Sequence, residues 1–137
     1  MMKSKARIMI ADLLRKAKRA RMHAQAPYSG FKVGAALETR AGRIFTGCNV
    51  ENASYGLTMC AERVAILKAV SEGKWDFRRI LILSDSEKPA PPCGACRQII
   101  WEYCGDIEVI LINLKGDSTK YQMKQLLPLA FDKKCLK

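Results

Sequence analysis

The sequence predicts an α/β fold in which helices pack on a sheet with at least one parallel pairing. Three observations carry this. Apolar periodicity along the 137 residues switches between helical and strand spacing in the order α-β-β-α-β-α-β-α. Two strand–helix–strand passages fall within that order, and such crossovers join parallel strands. Apolar residues at 49% and charged residues at 27% are the proportions of a globular protein, and the length suits one domain over 1–137 that needs no disulfides.

Each element has a local reason. Residues 5–24 read as an amphipathic helix, with Ile8, Ala11, Leu14 and Ala17 near helical spacing, and Pro27-Tyr28-Ser29-Gly30 ends it. Phe31, Val33, Ala35 and Leu37 alternate, so 31–38 reads as a strand; Arg40-Ala41-Gly42 turns the chain into a second strand over 43–50, making a hairpin. A loop over 51–59 leads to a helix of good formers (Ala61, Val64, Ala65, Leu67, Lys68, Ala69) that Gly73 stops. Residues 79–84 form a nearly continuous apolar strand, as expected when both faces are covered. A proline-rich loop over 86–92 opens a helix at 93–104, which Gly105 stops. A further buried strand over 108–114, a turn at Lys115-Gly116-Asp117 and a short helix over 122–127 complete the chain.

Composition excludes several function classes. No apolar stretch approaches the roughly 18 residues of a membrane span. Arg15, Lys16, Lys18, Arg19 and Arg21 interrupt any h-region of a secretory signal; the segment shares its arginine content with a transit peptide but runs into the fold without a linker. Without such a signal, the six cysteines imply a reducing compartment, the cytoplasm, where clustered thiols serve metal binding or catalysis. The net charge is +11, and residues 1–24 hold eight basic residues against one acid, Asp12. That reads as a solvated helix face. Nucleic-acid binding would favour interleaved aromatic residues, and none precedes Tyr28.

The chemistry concentrates at two helix starts. Cys60 opens one helix, and Cys93 and Cys96 lie in the first turn of the other. Helix N-termini carry partial positive charge and unpaired N–H donors, which favour thiolate, the metal-binding form. Two such elements converging make a three-sulfur cup, and tetrahedral zinc would leave its fourth position to water. A lone CxxC also suits a redox pair, or half of a structural zinc site completed by His23, Cys48, Cys104 or Cys135. Glu62, two residues after Cys60, favours catalysis, because a carboxylate there can move protons of a metal-bound water without binding the metal. Asn49 and Glu51 point to one side of an extended chain, where an amide and a carboxylate can hold a sugar hydroxyl.

Cys60-Ala61-Glu62 followed by Pro92-Cys93-x-x-Cys96 resembles the signature of the zinc nucleoside deaminases. The resemblance extends to residues 26–36, to 47–55 and to 126–131, and is closest to the small cytidine deaminase type that assembles as a homotetramer. It implies a three-layer α/β/α fold with a mixed central β-sheet, one Zn²⁺ per subunit held by Cys60, Cys93 and Cys96, and hydrolytic deamination of cytidine and deoxycytidine at C4 with Glu62 as the catalytic proton carrier. Three thiolates and Zn²⁺ sum to a negative charge that would raise the pKa of the bound water, and Arg63 offsets it by donating to sulfur, with Arg97 a second candidate. The resemblance further implies that Asn49 and Glu51 bind the ribose 3′-OH, that Phe31 lines the pocket, that the Ala61 N–H donates to the pyrimidine O2, and that Phe131, Tyr55 and Ala53 contribute across subunits. Cys48, Cys104 and Cys135 then read as structural or free thiols and His23 as a surface or capping residue. The rival readings are a polynucleotide deaminase, which usually has histidine in place of Cys60, a blasticidin-type deaminase, and a zinc-stabilised nucleic-acid-binding module. The segments Asn49-x-Glu51 and Tyr28-Ser29-x-Phe31 favour a simple nucleoside.

Overall fold

The structure is a computed structural model that describes residues 8–136. Its sheet has five strands in the order β2-β1-β3-β4-β5: β1 Val33–Thr39, β2 Ile44–Cys48, β3 Phe77–Ser84, β4 Glu108–Asn113 and β5 Ser118–Gln122. The helices are α1 Ile10–Arg21, α2 Ala61–Ser71, α3 Gly94–Cys104 and the short α4 Met123–Leu126. β1 runs antiparallel to both β2 and β3, β3 runs parallel to β4, and β5 returns antiparallel to β4. The parallel pair is the one that α3 connects, as the crossover rule requires.

Helices cover both faces, so the architecture is the expected three-layer α/β/α with a mixed sheet. On one face Leu13 and Ala17 of α1 pack with Ala36, Leu81, Leu83, Ile110 and Ile112. On the other, Ala61, Ala65, Ile66 and Ala69 of α2 and Ile100 of α3 pack against Leu37, Ile80, Ile82, Val109 and Leu111. Strands buried on both sides read as continuous apolar runs because alternate side chains enter opposite cores. Two glycines permit the close approach. A Cβ at Gly34 would sit 2.1 Å from the Ala17 carbonyl oxygen, and one at Gly47 would sit 2.3 Å from the Ala61 carbonyl oxygen. The first lets α1 lie on β1. The second seats the opening turn of α2 on β2.

The boundaries correct several expectations. The buried stripe of α1 is Ile10, Leu13, Leu14 and Ala17, whereas Ala11 is exposed; the bulky leucines set the phase rather than the small alanine. Residues 5–7 of the expected helix lie outside the described residues. β1 starts at Val33, so Phe31 precedes the strand, and β2 ends at Cys48 because Val50 instead bridges Gln25 and Met59. β3 begins two residues early, at Phe77. β5 has no counterpart in the sequence reading. Its residues, Ser-Thr-Lys-Tyr-Gln, are mostly exposed, and a polar edge strand carries no apolar alternation to read.

One polar cluster lies inside the sheet. Glu38, 1% exposed, accepts from Arg79 Nε at 2.5 Å across the β1–β3 pairing, and Arg78 Nε lies 3.6 Å from it. Arg79 also donates to the Ile8 carbonyl at the start of α1 and lies 3.9 Å from Glu108. This network occupies the end of the sheet opposite Ser84.

Candidate active site

The functional side chains gather at one end of the sheet. The antiparallel and parallel registers bring Val33, Cys48, Ser84 and Asn113 to a common edge, since Gly34 faces Cys48, Val33 faces Ser84 and Ser84 faces Asn113. The segments that leave this edge are 49–60 and 85–93, and 28–32 enters it. In α/β sheets, ligands bind in the crevice outside the carboxyl ends of the strands, and β3 and β4 both end at this edge.

Cys60 is the N-cap of α2 and Cys93 the N-cap of α3; Cys96 sits in the first turn of α3. Their three sulfurs lie within 4.8 Å of one another and could hold a metal ion. Cys60 Sγ and Cys93 Sγ are 3.9 Å apart, close to the ~3.8 Å edge of a tetrahedron with ~2.3 Å zinc–sulfur bonds. The Cys96 backbone N–H donates to Cys93 Sγ at 3.4 Å, and Arg63 Nη2 donates to Cys60 Sγ at 3.4 Å and to the Thr58 carbonyl at 3.2 Å. Arg63 Nε is buried with no hydrogen-bond partner among the described residues, and the guanidinium reaches the sulfur cluster through Nη2. Hydrogen bonding from the Cys96 thiol, and then Arg63, pushes the Cys60 thiol down to about 5, whereas Cys96 is raised by the same bond and by burial. The hydrogen bond between them thus favours thiolate at Cys60 and thiol at Cys96. Three soft donors that share negative charge beside a guanidinium fit zinc.

Glu62 follows on α2 and is 5% exposed. Burial pushes its carboxyl up to about 7, with the nearby Cys60 charge adding to the rise. It lies in the lining of a cavity of about 280 Å³, together with Phe31, Asn49, Glu51, Cys60, Ala61 and Cys93. That is near the lower bound of about 300 Å³ for small-molecule sites.

Asn49 and Glu51 shape this cavity as well as line it. Asn49 Oδ1 accepts from the Val33 N–H at 2.9 Å, and its Nδ2 donates to the Phe31 carbonyl at 2.7 Å. Glu51 Oε1 accepts from the Tyr28 and Ser29 backbone N–H groups at 3.0 and 3.1 Å, and Oε2 accepts from the Ser29 hydroxyl. That hydroxyl holds the Glu51 carboxyl below its usual range. The Phe31 N–H donates back to Ser29 Oγ at 3.0 Å, so the loop that carries Phe31 is clamped from below. An amide has four hydrogen-bonding positions and a carboxylate about four acceptor sites. Both side chains therefore keep capacity for a hydroxyl in the cavity.

Other expected residues lie elsewhere. Ala53 is exposed in the 51–59 loop. Tyr55 is 75% exposed and packs edge-on against Tyr28 at 5.9 Å, lining a shallower depression that shares Ser29, Glu51 and Thr58 with the cavity. Phe131 is 59% exposed and distant in sequence from every residue lining the cavity. Arg97 binds carbonyls rather than sulfur: its Nε donates to the Pro92 carbonyl and its Nη1 to the Leu126 carbonyl, both at 2.8 Å. His23 is exposed, and all six cysteines are free. Sequence reasoning missed Ser29 as the partner of Glu51, and missed Ala90 and Pro91 in the cavity wall. The proline-rich run just before Cys93 was the available signal for the latter.

Fold and cup together define a metal-binding α/β protein whose pocket opens beside a three-thiol site at two helix starts. A family model described as the cytidine and deoxycytidylate deaminase zinc-binding region matches residues 9–112, and the chain belongs to that family. The chain is 48% identical over 128 residues to a cytidine deaminase of Sporosarcina psychrophila, covering 93% of this chain and 94% of the relative. It is 51% identical over 120 residues to a cytidine deaminase of Halalkalibacterium halodurans, covering 87% and 91%. A crystal structure of cytidine deaminase from Burkholderia pseudomallei superimposes with a TM-score of 0.88 at 47% identity, covering 90% of this chain and all of that one.

Proposed function

We propose that the protein catalyses hydrolytic deamination of cytidine and deoxycytidine to uridine and deoxyuridine, releasing ammonia. The observation that carries this reading is the buried Glu62 carboxyl in the lining of a nucleoside-sized cavity, two residues from Cys60 of the three-thiol cup. Cys60, Cys93 and Cys96 would hold one Zn²⁺, which when bound supplies a water of lowered pKa as the nucleophile for C4. Glu62 is the proton carrier. Burial holds its pKa near neutrality, where a carboxyl both accepts and returns a proton, so it protonates N3 and then the departing amino group. Arg63 withdraws charge from Cys60 by its hydrogen bond. The helix N-termini of α2 and α3 direct partial positive charge at the same point, which stabilises charge that develops on the pyrimidine. The Ala61 N–H is the donor to the pyrimidine O2.

Asn49 and Glu51 offer their unused positions to the ribose 3′-OH, and Phe31 packs along the base. No lysine or arginine lines the cavity, which suits an uncharged nucleoside and gives a polynucleotide backbone nothing to grip. We further assign a homotetramer in which Phe131, Tyr55 and Ala53 reach neighbouring sites; the exposure of Tyr55 and Phe131 supports this reading. Among the described residues no helix is long and apolar enough to cross a membrane, and six free thiols suit the cytoplasm.

The test is the ultraviolet absorbance of cytidine mixed with the zinc-loaded protein. Conversion to uridine lowers the long-wavelength band and yields stoichiometric ammonia. An unchanged spectrum with zinc bound would remove the proposal.

A further inference from the structure

Helix α3 does more than carry Cys96. Arg97, Gln98 and Trp101 face the segment that follows α4. Arg97 Nη1 donates to the Leu126 carbonyl at 2.8 Å, Gln98 Nε2 to the Phe131 carbonyl at 2.8 Å, and Trp101 Nε1 to Asp132 Oδ2 at 3.1 Å. Asp132 Oδ1 accepts the Lys134 N–H at 3.0 Å and so caps the closing turn at Lys133–Cys135. Between these anchors Leu129 adopts φ 55, a left-handed backbone that a leucine rarely takes, and its side chain is fully exposed. A disfavoured backbone persists where its surroundings over-determine it, and here three side chains of one helix do so. The result is a fixed backbone that turns two large apolar side chains, Leu129 and Phe131, away from the chain's own core. Arg97 Nε, on the same guanidinium, holds the Pro92 carbonyl directly before Cys93. One helix thus joins this apolar tip to the metal cup.

We propose that Gln98 and Trp101, with Asp132, are positioning residues that set the Leu129–Phe131 tip for the pocket mouth of a second copy of this chain. The mouth is matched to it: Phe31 lines the cavity, Tyr28 and Tyr55 line the depression that adjoins it, and all three are exposed aromatic side chains that the chain itself leaves uncovered. The inference rests on the reading above that Phe131 closes a neighbouring pocket. The bond from Trp101 acts only through the position of the tip and touches no reacting atom.

Steady-state kinetics on the zinc-loaded enzyme test it. Trp101→Phe keeps a ring and removes the donor; Asp132→Ala removes the acceptor from the partly exposed side, and carries the test alone if Trp101→Phe does not fold. Each is expected to raise the KM for cytidine about five- to tenfold, the scale of one lost hydrogen bond, with kcat and zinc content nearly unchanged. Hydrogen-exchange protection at Lys134 and Cys135 falls in both. Asp132→Asn, which keeps an acceptor oxygen, restores KM, and the double variant is no worse than either single one. An unchanged KM in Asp132→Ala, while Phe131→Ala raises KM, overturns the positioning role and leaves the part of Phe131 intact. An unchanged KM in Phe131→Ala overturns the underlying reading and this inference with it. Loss of zinc along with KM would reduce Trp101 to general support of α3, which also overturns it.

Discussion

Glu62 owes its chemistry to where α2 begins. A buried carboxyl on the first turn of a helix, beside the Cys60 thiolate, keeps a proton near neutrality that a surface glutamate would lose. Glu62→Gln is expected to retain zinc while turnover drops by at least about two decades, measured as metal content and cytidine absorbance on one preparation. The thiols differ just as sharply. Cys60 is driven toward thiolate and Cys96 toward thiol, so zinc uptake must expel the Cys96 proton. Zinc affinity should therefore rise with pH across neutrality, and calorimetry in two buffers of different ionisation enthalpy should report proton release. Cys104 is the inert contrast, its thiol pushed up to about 12 by burial. The unfolded chain gives up this proton near the ordinary thiol value and the folded chain does not, so stability declines as pH rises from about 9 toward 12. Cys104→Ala should flatten that part of the denaturation curve, and alkylation of the native protein at pH 8 should spare Cys104 while labelling the exposed Cys135.

Strands β1, β3 and β4 are joined at the end away from the site by charge rather than by packing. Glu38 and Arg79 are both about 95% buried or more and face each other in register, with Arg79 reaching on to the Ile8 carbonyl, two residues before α1. A buried pair contributes little net stability, yet removing one partner strands the other in an apolar layer. Glu38→Leu alone should cost about 3–5 kcal/mol in urea denaturation, whereas Glu38→Leu with Arg79→Met should come within about 1 kcal/mol of the parent or exceed it. The network also explains why a strand that reads as apolar tolerates two arginines at its start. Arg78 and Arg79 sit where β3 enters the sheet, and carboxylates from both neighbouring strands meet Arg79 there.

At the scale of the whole molecule, the cavity is open and its mouth apolar in a chain that carries +11. Like charge on every copy opposes association, so contact between copies depends on uncharged patches such as the exposed aromatic side chains Tyr28, Phe31 and Tyr55 and the tip at 129–131. Light scattering should give the mass of four chains at micromolar concentration, and added salt should tighten rather than loosen the assembly by screening the mutual repulsion. A fully active single chain would contradict shared sites. The basic face of α1, where Lys18 and Arg19 are exposed, stands on the sheet face opposite α2 and α3 and has no part in the pocket.

Much of this was legible in order along the chain. Helix and strand periodicities, the glycine stops and the cysteine spacing are local properties, written in neighbouring residues, and they sufficed for helices on a sheet with a parallel pair and for marking the three cysteines and Glu62 as candidates; the three-layer arrangement came from the family resemblance. Where the apolar signal weakened, the reading failed: β5 is polar because it is an edge, and the phase of α1 turned on bulk rather than on the mere presence of an alanine. Other features had no local trace at all. That Asn49 and Glu51 grip the 28–33 loop, that Arg97 braces Pro92 instead of a sulfur, and that Glu38 meets Arg79 are contacts between residues 5 to 41 positions apart. Residue types and spacings determine which groups can form a metal cup; only the folded sheet, by fixing register and the approach of α2 and α3 to one edge, decides which donors remain free to act, because a hydrogen bond's partner is chosen by distance in space and not by distance along the chain.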